Sequence, residues 1–171
     1  AALLRASGKN LYAPFTGGVS FGASWKGLAL DVDWSFNVGK YVINNDRYFT
    51  ESMSKNTAFL GMNKSRKVLD AWTEDNRNTD VPKFGEEMQF DSRLLENASF
   101  LRLKNLRLSY TLPSAWFEKI GVISGARVYV TGRNLLTFTQ FSGYDPEAVG
   151  NMSMNQYPNT RQYVGGLQIT F

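Results

Sequence analysis

Residues 19–38 read VSFGASWKGLALDVDWSFNV, and their alternation decides the fold class. Val19, Phe21, Ala23 and Trp25 alternate with Ser20, Gly22 and Ser24. Beyond Lys26-Gly27, the apolar Leu28, Leu30, Val32, Trp34, Phe36 and Val38 alternate with Ala29, Asp31, Asp33, Ser35 and Asn37. A strict period of two belongs to a β-strand, whose successive side chains point to opposite faces. Lys26-Gly27 reads as a tight hairpin turn, because Gly adopts positive φ without a Cβ clash. Each run is about as long as the nine to eleven residues that cross a bilayer as a tilted strand.

Working outward, the same pattern predicts strands near 18–25, 28–38, 100–112, 126–138 and 162–171 within the 171 residues. Leu106, Leu108, Tyr110 and Leu112 oppose Arg107, Ser109 and Thr111. Val128, Val130, Leu136 and Phe138 oppose Arg127, Tyr129, Thr131 and Arg133. Tyr163, Leu167, Ile169 and Phe171 oppose Gln162, Gln168 and Thr170. Arg102 and Lys104 fall in the apolar phase of the third strand, so that end is expected to leave the membrane. After Pro113, Ser114 to Ile120 reads as one or two helical turns capped by Ser114, with Trp116, Phe117 and Ile120 on the apolar side and Gly121 ending it. Val68, Leu69 and Trp72, at helical spacing, predict a short helix inside the first long loop.

The connections alternate between short and long. Two residues follow the first strand, long loops occupy 39–99 and 139–161, and a compact turn lies between. Short turns on one side and long loops on the other are the pattern of an outer-membrane barrel, which has an apolar band facing lipid and a polar interior. A soluble sandwich also has period-two strands, but there the apolar face is a core. The expected fold is all-β, an antiparallel transmembrane β-barrel segment with long extracellular loops.

Composition narrows the function. With no Cys and no His, thiolate chemistry and the commonest general base and metal ligand are missing. The net charge of +4 comes from scattered basic residues, with only Lys64, Arg66 and Lys67 clustered, so nucleic acid is not an expected partner. No apolar run is long enough for a membrane helix, and no charged segment followed by an apolar one opens the sequence. Glu86-Glu87 and the acids at 70, 74, 75 and 80 lack the register of a calcium loop, and Gly17 to Gly22 lacks the lysine of a phosphate loop. No cofactor, metal or catalytic residue is expected. Asp31 and Asp33 share a strand face and are read as lining a wet lumen. Trp72, Tyr144, Asp145 and Tyr157, in loops, are candidate ligand contacts, although packing of loop aromatics is the commoner use.

SRLLENASFLRLKNLRLSYTLP, residues 92–113, resembles a signature near the C-terminus of SusC/RagA-type TonB-dependent outer-membrane transporters. RVYVTGRNLLTFTQFSGYDPE from Arg127 and the closing QYVGGLQITF are similar to the strands that follow it, and GKYVINNDRYF from Gly39 and AWTEDNRNTDVPKF from Ala71 to the long loop before it. The resemblance implies that residues 1–171 are about the last five strands of a plugged barrel of about twenty-two. It also implies import of a bulky nutrient, an oligosaccharide or a peptide, into a Gram-negative cell. Its implied partners are a SusD/RagB-type surface lipoprotein, the remaining strands and plug, and a TonB complex that engages an N-terminal part outside this sequence. Tyr163, Leu167, Ile169 and Phe171 resemble the terminal signal read by the barrel-assembly machinery. A soluble extracellular β-domain that binds glycan through Trp72 and Tyr144 is the alternative.

Overall fold

The computed structural model describes residues 8–56, 61–87, 89–118, 121–147, 150, 152–153 and 156–171. The chain forms two compact units: residues 15–38, 100–139 and 159–171 make one, and 1–14, 39–99 and 140–158 the other. The first is a five-stranded antiparallel sheet of β1 (Phe15–Trp25), β2 (Leu28–Val38), β5 (Phe100–Thr111), β6 (Gly125–Thr139) and β8 (Gln162–Thr170), in that spatial order. The second contains β3 (Tyr41–Asn44), α1 (Asn45–Thr50), β4 (Leu95–Asn97) and β7 (Met152–Ser153). There β3 pairs antiparallel with β4 and parallel with β7. Among the described residues no helix is long and apolar enough to cross a membrane.

The first hairpin closes through two residues at positive φ, Lys26 at 46° and Gly27 at 87°. This is the geometry whose twist matches the flanking strands. Gly27 is required twice over, because a Cβ there would also lie 2.7 Å from the backbone oxygen of Thr111. The Gly27 carbonyl in turn accepts from the Thr111 N–H at 2.8 Å, tying the turn to the end of β5.

Cross-strand partners share a face, so the register assigns both sides of the sheet. Phe21, Val32, Leu106, Gly132 and Tyr163 form one rung of the apolar face; Gly22, Asp31, Arg107, Thr131 and Val164 form the next rung, on the polar face. Burial runs opposite to that of a soluble sheet. Val130 and Leu167 are each 61% exposed, whereas Arg102, Ser109 and Thr131 are buried at 3, 5 and 7%. A sandwich requires the reverse, since its apolar face is its core.

The structure corrects the expectation for Arg102 and Lys104. Between the Asp33–Asn105 and Trp34–Leu103 pairs β5 holds one more residue than β2, a bulge at Lys104. A one-residue slip moves every later side chain to the other face. Leu101 and Leu103 therefore join Trp34 and Phe36 on the apolar face, while Arg102 pairs with Ser35 and donates from Nε to Thr137 Oγ1 at 3.0 Å. The apolar face continues through this end of β5.

Two smaller differences concern the turns. Among the described residues of this segment Ser114–Trp116 is helical, a single 3-10 turn with Pro113 rather than Ser114 at its cap position, and Gly121 follows at φ 68°. Ile120 lies outside the described residues. Around Val68 the helix is likewise a short 3-10 turn, Arg66–Asp70, capped by the Ser65 hydroxyl, with Leu69 exposed. The segments read as long loops instead build the second unit, whose buried Val42, Ala98 and Phe141 pack as one cluster.

Candidate functional site

Inside the second unit Arg47, on α1, organises a polar network. Its guanidinium grips Glu51 with two 2.8 Å bonds, from Nε to Oε1 and from Nη2 to Oε2. Nη1 donates to Glu96 Oε1 and to the Arg93 carbonyl, and Nη2 to Asp80 Oδ2, each at 3.1 Å. All five N–H groups of the fork are used, the arrangement Arg supplies and Lys does not. The bonds it donates to Glu51 hold the Arg47 pKa above its ordinary value, with burial opposing them. Glu96 also accepts from Asn44 Nδ2 at 3.2 Å and from the Ser142 hydroxyl at 2.8 Å, which joins β3, β4 and residue 142.

Beside this network lies a cavity of about 400 Å³, lined by Asn44, Asp46, Arg47, Thr50, Glu51, Asn63, Lys64, Ser65, Lys67, Ser142 and Tyr144. Its walls suit a polar, hydrogen-bonding ligand beside one exposed ring. Replacing Arg47 with Met takes from Glu51, whose side chain is only 5% exposed, both of its 2.8 Å bonds and leaves it Lys67 at 3.6 Å, while Glu96, 14% exposed, keeps Asn44 and Ser142. Breaking such a buried pair costs about 3–5 kcal/mol. Amide hydrogen exchange at Val42–Asn44 in the full-length protein is expected to accelerate by about two powers of ten or more. Unchanged protection would mean that the network does not hold the unit together.

Of the four loop residues expected as ligand contacts, Tyr144 alone lines this cavity, beside Lys64 and Lys67 of the basic cluster. Trp72 is half-buried, with Lys83 Nζ 5.8 Å from its ring centre. Asp145 accepts from the Glu147 N–H at 2.9 Å, a local turn bond, and Tyr157 is exposed. Asp70 accepts from Asn76 and Thr79 side chains and organises its own loop. Among the described residues no group of three or more Asp or Glu converges as a metal site.

On the polar face of the sheet, Asp33 accepts from Asn105 Nδ2 at 2.9 Å. Asp31 stands opposite Arg107, whose guanidinium instead lies over the Tyr129 ring at 4.5 Å. Arg127 donates from Nε to Thr111 Oγ1 at 3.0 Å. At the far edge, Tyr163, Leu167 and Ile169 lie on the apolar face of β8, paired with Gly132, Val128 and Ala126, and are exposed together with Phe171. Sequence reasoning placed Arg107 and Arg127 opposite the apolar face but missed the stacking of Arg107 on Tyr129, which depends on strand register. It missed Arg47 as well, because an isolated Arg in a loop gives no periodic signal.

No family model matches the chain. It is 33% identical over 170 residues to TonB-dependent receptor P3 of Formosa agariphila, covering 92% of this chain and 16% of that protein. With TonB-dependent receptor SusC of Bacteroides thetaiotaomicron it is 26% identical over 166 residues, covering 95% and 16%. Among solved structures, the RagAB peptide importer is 58% identical, covering 95% of this chain and 18% of that one, with TM-scores of 0.88 in its open-open state and 0.86 in its closed-closed state. The chain thus spans less than a fifth of the length of the relatives it matches.

Proposed function

Because the chain belongs to the SusC/RagA family of TonB-dependent receptors, as a segment of their outer-membrane β-barrel, we propose that it forms part of the wall of a transporter importing a bulky nutrient across that membrane. The burial of the five-stranded sheet carries this reading: its apolar face bears an exposed large side chain on every strand, Phe21, Leu28, Leu108, Val130 and Leu167 among them, while Arg102, Ser109 and Thr131 on the polar face are buried. Such a sheet suits lipid on one side and a wet, partly filled lumen on the other. The same exposed face argues against a soluble glycan-binding domain. The identity of 58% to a peptide importer, against 26% to SusC, favours a peptide over an oligosaccharide as cargo. In this reading a SusD/RagB-type lipoprotein captures the cargo outside. A plug and the other strands complete the barrel, and a TonB complex acts through a part of the polypeptide not contained here.

The test is uptake by cells of the source bacterium. Deleting the full-length gene is expected to abolish import of labelled oligopeptides, and the intact gene to restore it. Import that persists unchanged in the deletion strain would overturn the reading.

We also propose that Tyr163, Leu167, Ile169 and Phe171 act as an assembly address. Among the described residues the outer edge of β8 has no strand partner. A free edge can add to the sheet of an assembly protein through main-chain hydrogen bonds, with alternate side chains giving recognition. Deleting Phe171 from the full-length receptor is expected to lower the fraction reaching the outer membrane while leaving the melting temperature of the arriving protein nearly unchanged. Normal delivery of a less stable barrel would reduce Phe171 to an interfacial aromatic.

A further inference from the structure

At the short-turn end of the sheet, Trp25, Leu28, Tyr110, Val128 and Leu167 form one rung of the apolar face. The strands stop at different points relative to it. On this rung β1 ends and β2 begins, whereas β5 runs one residue further, to Thr111, and β6 and β8 three, to Gly125 and Thr170. Three residues are about 10 Å along a strand, and the steps from β1 to β8 are about 19 Å across the sheet. Ends stepped in this proportion come to one level when the strands tilt by roughly 30°, near the tilt of membrane-spanning strands. The short turns therefore mark one border of the lipid-facing band, and short turns of an outer-membrane barrel lie on its periplasmic side.

Trp25 stands at that border, 70% exposed, and Trp116 in the next short turn is exposed as well. An indole suits this level, with its body against acyl chains and its N–H among headgroups. Lys26 follows at φ 46°, a conformation that favours Asn, and Asn-Gly is the preferred pair for a two-residue hairpin. A lysine here runs against the local preference, and such an outlier points to a use for its charge. Its Nζ lies 4.8 Å from the centre of the Trp25 ring, which sets the charge beside the lipid-facing band. We propose that Trp25 and Lys26 form a headgroup clamp for an anionic phospholipid of the periplasmic leaflet, with the indole at the glycerol level and the ammonium on the phosphate. The occupant follows from position and charge. The ring continues the face that meets lipid, so acyl chains are its neighbours, and the group at the head of those chains that answers a cation is phosphate. The Thr111 N–H donates to the Gly27 carbonyl at 2.8 Å and holds the turn, so the pair is positioned before a lipid arrives.

The proposal rests on the chain's place in the barrel wall and is independent of the cargo. The test uses the full-length receptor in a neutral detergent, with fluorotryptophan placed at Trp25 alone and followed by fluorine magnetic resonance. The probes are dihexanoyl phosphatidylglycerol and dihexanoyl phosphatidylcholine. With Lys26 in place, phosphatidylglycerol is expected to shift the resonance at about fivefold lower concentration than phosphatidylcholine, the preference one lysine gives at an anionic surface. Lys26→Asn is expected to respond to both lipids alike, and since Asn suits the positive φ the hairpin is kept. Lys26→Arg is expected to retain the preference, which ties it to charge. Glycerol phosphate, the same anion without chains, is expected to act only at concentrations about tenfold higher or more. Equal responses to the two lipids with Lys26 intact would overturn the clamp, as would a preference that survives Lys26→Asn or is lost in Lys26→Arg. Saturation by glycerol phosphate at the same concentration as phosphatidylglycerol would overturn a lipid as the occupant.

Discussion

Val32→Arg is expected to remove most of the folded receptor from the outer membrane, while Asp31→Asn, one residue away, leaves it at the wild-type level. The two positions differ only in face. Val32 stands between Phe21 and Leu106 on the apolar side, and Asp31 between Gly22 and Arg107 on the polar side. A charged Arg on the lipid face near the middle of the bilayer costs about 2–4 kcal/mol, a shift of about thirtyfold or more in the folded fraction. On the polar side, Asp31→Asn removes a charge that already faces water and makes no ion pair in the sheet. The measurement is the heat-modifiable fraction of each variant in outer-membrane extracts. Equal folding of both would invert or abolish the assigned faces.

The second large effect is on the 171-residue segment expressed alone, which is expected to yield no stable soluble monomer. Its sheet ends in two edges, β1 and β8, that have no strand partners among the described residues, and its exposed large side chains include Phe21, Trp25, Val130, Phe138 and Leu167. Unpaired edges template association between chains, and an apolar face of this extent has nothing to pack against in water. In the barrel, closure satisfies the edges and lipid covers the face. A cooperative thermal transition from a detergent-free monomer would contradict this.

Where the sequence was legible, local alternation did the work. The run from Leu28 to Val38 is unbroken, and its turn residues both take the positive φ that a two-residue hairpin needs, so strand, turn and face follow from adjacent residues alone. Lys104 marks where that logic stops. A bulge is set by what the neighbouring strands place opposite, so Arg102 looks misplaced until Ser35 and Thr137 are seen beside it. The compact second unit was hidden for a related reason. β3 has four residues and β7 two, too few to show a period, and Val42, Ala98 and Phe141 are distant in sequence. The candidate site divides the same way. Asp31 and Asp33 follow from phase, whereas the Arg47 network and the Arg107–Tyr129 stack exist only once non-local strands are paired.

The central claim, that one face of this sheet meets lipid and the other water, is tested most directly by spin-label accessibility in the full-length receptor reconstituted in bilayers. The segment contains no native Cys, so single cysteines can be placed at 30 to 34 on β2 and at 101 to 103 on β5 without competing labels from this segment. The register predicts preferential collision with oxygen, which partitions into lipid, at 30, 32, 34, 101 and 103. It predicts collision with a water-soluble nickel chelate at 31, 33 and 102, the last because the Lys104 bulge turns Arg102 inward. Uniform accessibility along β2, or a lipid signature at 102 with a water signature at 101 and 103, would contradict the account.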